Sequence, residues 1–165
     1  MTHRPDTVQG VAAGLLAGLG AAYVMEQFQN AWAARQGDGG GGGAGDSDEE
    51  PAISKLADKA SRSLLGRPLA RRDKEKADPM VHYATGAALG ALYGYLAEDA
   101  PGVTTGAGTL FATVAAIGLD DGVVPLLGLG PSPEDTPGET HLYSLASHLV
   151  FGVALEGARR LLRTI

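Results

Sequence analysis

Six ionisable residues stand inside or at the edges of long apolar runs: Glu26, His82, Asp120, His141, His148 and Glu156. Such groups are costly at membrane depth, usually face the interior of a helix bundle, and mark proton or ion paths. Burial raises carboxylate pKa values and lowers those of histidine, so both types can approach neutrality. The chemistry this set supports is the uptake and release of protons. His148 lies about 10 Å below His141 at a rise of about 1.5 Å per residue. It shares a helix face with His141, Ser144 and Gly152, because positions seven apart nearly eclipse. Asp120 interrupts an apolar run, where unwound backbone often lines a cavity.

Each residue also has a plainer reading. Glu26 and Glu156 fit the headgroup zone as markers of helix ends, and His82 fits the first turn of its helix. His148 fits a hydrogen bond to Ser or Tyr across the bundle. Asp120 and Asp121 fit a helix cap and break, with Gly122 supplying the turn. A metal centre of His82, Asp120 and His148 is the remotest expectation, because no HExxH-type pair or carboxylate–histidine helix motif occurs.

Apolar helices must position these groups. The stretch from Met80 to Ala97 is uncharged, with Asp78 expected as N-cap and Pro79 at the first helical position. Its length of about 18 residues roughly matches a bilayer's hydrocarbon core. Gly86, Gly90 and Gly94 put bare backbone along one side, the pattern of close helix packing in lipid. An earlier apolar helix, Val8 to Met25, repeats that spacing at Gly10, Gly14 and Gly18, and Asp6 with Gln9 resembles a capping box. A signal peptide cleaved near Ala31-Trp32-Ala33 is the rival reading of this helix. A third run, Gly106 to Leu119, is interrupted by Asp120-Asp121-Gly122 and resumes with Pro125 inside it, so a broken or re-entrant segment is expected. Thr140 is the expected N-cap of a last helix, His141 to Leu162, which ends in arginines.

The rest of the chain is polar. Residues 37–51 are glycine-rich and acidic, a composition that cannot bury apolar surface and is expected to be a flexible linker. A phosphate-binding loop is excluded there, since no Lys-Ser/Thr follows. From Ala52, Ile53, Leu56, Ala60 and Leu64 share a helical face beside Lys55, Lys59 and Arg62. This fits a short amphipathic helix on an anionic membrane surface, or an exposed loop helix.

The expected organisation is therefore a first helix within residues 1–35, a linker over 36–51, a polar loop over 52–78 and a membrane bundle over 79–165. Within that bundle, helices are expected at about 79–98, 103–128 (broken) and 140–162. The fold class is all-α, a small multi-pass membrane bundle of three to four glycine-rich segments. No β-alternation and no tandem repeat is visible. The 165 residues contain no cysteine, which excludes disulfides and thiolate metal sites. A net charge of −6 argues against nucleic-acid binding. The basic residues cluster before Met80 and after Leu155, and positive segments stay cytoplasmic. That rule favours an outside amino terminus, a re-entrant third segment, and Glu26, His82 and Glu156 all near cytoplasmic helix ends.

The run HYATGAALGALYGYLAEDAPGVTTGAG, then VVPLLGL, then THLYSLASHLVFGVALEGARRLL resembles the YagU-like family of bacterial inner-membrane proteins. The likeness extends over most of the chain from Ile53, and the first helix also fits. The resemblance implies a multi-pass plasma-membrane protein associated with acid tolerance, without an established molecular activity. It supplies no catalytic residues to carry over, and the glycine-rich linker departs from it. The leading expectation is a non-enzymatic protein, with no cofactor and the lipid bilayer as surroundings, that senses or conducts protons. The alternative is a structural or accessory subunit whose glycine faces bind a membrane protein partner or another copy.

Overall fold

The computed structural model describes residues 6–36, 52–68 and 71–164, and among these the regular secondary structure is all helix. The glycine-rich stretch 37–51 lies outside the described residues. Helix α1 spans Thr7–Gln36, well beyond the apolar run, and Ala31-Trp32-Ala33 lies inside it. Asp6 caps it: the Gln9 amide donates to Asp6 Oδ1 at 3.1 Å. The capping box is half formed, because the Gln9 side chain turns away and accepts from Arg163. Helix α2 spans Ala52–Leu65 and stops at Gly66, whose φ of +67° suits a residue without Cβ.

Helix α3 spans Arg71–Asp99. It does not begin at Asp78. The run from Arg71 to Ala77 is rich in good helix formers, so the helix starts earlier and carries Pro79 inside it. The cost is one backbone hydrogen bond that proline cannot donate. After a turn at Pro101–Thr104, helix α4 spans Thr109–Ala116. It passes into a π-helical turn, Ile117–Val123, and then into a last turn, α5, Val124–Leu126. Helix α6 spans Gly138–Arg163. Pro137 stands at its N-cap, and Thr140, the expected cap, lies within the first turn and donates its amide to the Pro137 carbonyl at 3.0 Å.

Glycine sets the closest approach in the bundle. α1 and α3 run antiparallel, with Gly10, Gly14 and Gly18 opposite Gly94, Gly90 and Gly86. A Cβ built on Gly14 would stand 2.8 Å from Gly94 Cα, and one on Gly90 would stand 2.7 Å from Gly18 Cα. No side chain fits there. α6 lies antiparallel to α1, with Trp32 against Tyr143 at one end and Gln9 against Arg163 at the other. It also packs antiparallel on α4, where a Cβ on Gly152 would meet Ala112 Cβ at 2.6 Å. Tyr93, Phe111, Phe151 and Leu155 fill the space between these helices, backed by Ala17, Ala21 and Ala22.

The third segment does not turn back. Its first turn lies against Gly152, and Leu127, just past its last turn, accepts a hydrogen bond from Lys59 of α2 at the opposite end of the bundle. The helix continues through Asp120-Asp121-Gly122 because the π turn absorbs them without unwinding. Among the described residues, two helical stretches are long and apolar enough to cross a membrane, Thr7–Arg35 and Thr109–Leu126. The stretch in α3 is less apolar than either, since glycine, tyrosine, threonine and histidine dilute its aliphatic residues.

Candidate functional site

The ionisable residues form three clusters along the bundle. The first lies where α3 and α6 end and α1 begins. Glu156 is 1% exposed and accepts four hydrogen bonds. These come from Tyr93 OH at 2.9 Å, Arg159 Nε at 2.8 Å and NH2 at 3.1 Å, and Arg160 Nε at 2.6 Å. Arg159 also lies over the Tyr93 ring, 5.9 Å from its centroid. Beside this group Arg163 pairs with Glu98 at 2.9 Å. Spacing explains the local geometry: Glu156 with Arg159 and Arg160 is an i, i+3 and i, i+4 set on one helix. A buried carboxylate with this many charged donors is an anchor that breaks at high cost.

The second cluster sits at the π turn. Asp120 accepts a hydrogen bond from the Ser144 hydroxyl. His148 Nδ1 lies 3.7 Å from Asp120 Oδ2 and 3.0 Å from the Ser144 carbonyl. About two turns from His148 toward the helix start, His141 Nδ1 lies 3.2 Å from Asp121 Oδ1, and its Nε2 faces the Pro133 carbonyl at 3.1 Å. The wide π turn points two consecutive aspartates at two histidines on one side of α6. His148 is buried, whereas His141 is half-buried.

The third cluster is at the other end of α1. Tyr83 OH donates to Glu26 Oε2 at 2.6 Å, and His82 Nε2 lies 3.2 Å from the Ala22 carbonyl. The His82 ring meets the Tyr83 ring edge-on, with centroids 5.4 Å apart.

The six residues therefore do not converge on one cavity. Asp120, His148 and Ser144 come together, with His141 nearby on Asp121. Glu26 and His82 share an end. Glu156 is at the opposite end from them, which corrects the expectation of three residues at one face. Nor do His82, Asp120 and His148 form a metal centre: among the described residues, no three His, Asp or Glu side chains are placed to hold a metal ion. The sequence reading missed the tyrosines that partner both glutamates, and Gly108 opposite Gly152. A signal for the latter was present. Gly94 is followed four residues on by Glu98, and Gly152 by Glu156. Gly10 faces the first pair as Gly108 faces the second.

A family model matches residues 72–157, from the first turn of α3 to the residue after Glu156, just over half of the chain. The chain belongs to the DUF1440 family, proteins of unknown function. No curated protein and no solved structure matches it. The part shared with DUF1440 contains the π turn, its partners on α6, and the Tyr93–Glu156 pair. α1, which supplies half of the glycine contact, and the arginines that hold Glu156 lie outside it.

Proposed function

We propose that this DUF1440 protein is a non-enzymatic, four-pass protein of the bacterial plasma membrane that senses acid at the joint between α4 and α6. The observation that carries the reading is an apolar outer surface around a core that also holds ionisable groups. Leu15, Leu16, Leu19, Leu92, Leu110, Val114, Ile117, Val153 and Leu161 face outward, while His148 and Glu156 are buried inside among Tyr93, Phe111, Phe151, Leu155 and small residues. An exposed apolar surface of that extent marks contact with lipid or a partner, and paired charges inside fit a bundle in lipid. The motif resemblance to YagU-like proteins supports the same compartment and a link to acid tolerance.

Within that frame the Asp120–Ser144–His148 contact is the protonation-sensitive element. Histidine is the side chain whose ordinary titration falls nearest physiological pH. A change of charge at this contact would alter the hold of α6 on the π turn. Sensing is favoured over conduction because each of the three clusters is closed on its own partners.

Single-cysteine labelling tests the four-pass arrangement, since the native chain contains no cysteine. Ser132→Cys and Ser63→Cys should label from one side of the membrane and Thr105→Cys from the other. A re-entrant third segment would put Thr105 and Ser132 on the same side. Recovery of the unfused chain as a soluble monomer would overturn the membrane reading. The sensing role predicts that acid survival or pH-dependent label accessibility changes in His148→Gln and Asp120→Asn.

The accessory-subunit reading survives in altered form. Its glycine rows are occupied by each other within one chain. A membrane protein partner or a second copy would have to use the outer leucine surface instead.

A further inference from the structure

The chain's basic charge is concentrated where the bundle does not need it. Of 13 Lys and Arg residues, eight lie between Ala52 and Lys76, against three Asp and Glu, in a protein of net charge −6. Lys55, Lys59 and Arg62 lie on α2, Arg67 just past it, and the other four in the first turns of α3; α2 packs against α3 and is closed by the left-handed turn at Gly66. Lys59 ties it down by donating to the Leu127 carbonyl at 2.9 Å. That carbonyl follows the last turn of Thr109–Leu126, a helix long enough to cross a membrane. α2 is thereby fixed at the level where that apolar helix ends.

Apolar and basic groups meet at this level. Leu126 is 86% exposed, Leu127 41% and Leu56 37%. Arg67 is exposed, and Arg62 keeps 63% of its side chain exposed while paired with Asp58 at 2.8 Å. A soluble polyanion would satisfy the arginines and leave the leucines in water. An anionic bilayer surface takes both, leucines below and arginines at the phosphates.

We infer that α2 is an anchor for anionic phospholipid, lying along the charged leaflet and linking it to the end of the third segment through Lys59. The inference rests on the membrane reading above and names the surface that α2 contacts. The link also has a direction. Detaching α2 from the leaflet would withdraw a partner from Leu127, next to the segment that carries the π turn.

The test uses the full chain with Leu56→Cys carrying a spin label, reconstituted in phosphatidylcholine vesicles with or without phosphatidylglycerol. With phosphatidylglycerol, the label should become more accessible to oxygen than to a water-soluble nickel chelate. High salt should weaken that shift by screening. Arg62→Gln with Arg67→Gln should weaken α2 docking by about fivefold per charge removed, the equivalent of roughly 1 kcal/mol for each basic residue near the surface. A label that reads the same in both lipids would overturn the inference. So would protection by added heparin without any response to lipid, which would mark a soluble acidic partner. Vesicle flotation of the same samples separates the two claims: flotation with an unresponsive label sinks the anchor alone, and loss of flotation sinks the membrane reading as well.

Discussion

In the hairpin of α1 and α3, three glycines on each helix bring backbone against backbone along Gly10–Gly18 and Gly86–Gly94. In the hairpin of α4 and α6, Gly108 and Gly152 make one such approach, Ala112 follows, and the contact then passes to Asp120, Ser144 and His148. Both hairpins begin alike, with a glycine against a Gly-x-x-x-Glu end whose glutamate is held by arginine. They differ where the second spends polar side chains in place of glycine. A glycine contact has no adjustable part: it is made at full closeness or lost. The second contact is made by side chains on a wide turn: the Ser144 hydroxyl donates to Asp120, and His148 Nδ1 stands 3.7 Å from that carboxylate and 3.0 Å from the Ser144 carbonyl. On the sensing proposal, the first hairpin is the fixed frame and the second the part that responds.

The largest effect should come from the end that the two hairpins share. Glu156→Ala leaves Arg159 half-buried without its carboxylate, and breaking a buried pair costs about 3–5 kcal/mol. Thermal unfolding in detergent should show a large loss. Tyr93→Phe removes one of four donors and should cost only about 1 kcal/mol. Equal effects from the two would mean that the tyrosine, rather than the arginines, carries the site.

The frame is broken next. Gly90→Leu forces a side chain against Gly18 Cα, and overpacking costs about 1–3 kcal/mol or more when only backbone can yield. Gly20 lies on the same helix as Gly18 but has nothing within 4 Å of a built Cβ. Gly20→Ala should therefore be neutral or stabilising by up to about 1 kcal/mol through helix propensity. If both variants behave alike in folded yield, the two helices do not meet at these glycines.

The contrast also shows what local sequence can carry. Apolar runs and four-residue glycine spacing are local, so the long helices and their glycine faces could be read directly, as could Asp6 as a cap. The fate of Asp120-Asp121-Gly122 is not local. Read alone, it is a helix breaker; it stays helical because Ser144 and the two histidines, far along the chain on α6, receive the aspartates. Pro79 misled for the opposite reason: its preference for a first turn was outweighed by the helix formers before it. The end on which Glu156 lies was misplaced because Arg159 and Arg160 were read as free topology markers, whereas they are committed to Glu156.

Two His–Asp pairs on the responsive hairpin sharpen the comparison further. His148 and Asp120 share Ser144, and His148 is buried, so His148→Gln and Asp120→Asn should be non-additive by about 0.5–3 kcal/mol. That coupling should appear in unfolding and, on the sensing proposal, in acid survival as well. Strictly additive changes would leave the α4–α6 contact structural and favour the accessory-subunit reading.

The smallest effect belongs to His141 and Asp121. Their side chains are 36% and 34% exposed, and the ring nitrogen and carboxylate are 3.2 Å apart. Exposed pairs contribute about 0.2–1 kcal/mol, so the coupling of His141→Gln with Asp121→Asn should lie at or below that range. The pair also provides an internal control for the mechanism. Its attraction is that of a charge pair open to solvent. Because His141 is more exposed than His148, 36% against 11%, added salt should erase its coupling first. A double-mutant cycle run on both pairs, at low and high salt, reads this directly. If His141–Asp121 proves the stronger and more salt-resistant pair, the responsive point moves from the middle of the π turn to the loop end of α6, and the role given to His148 falls.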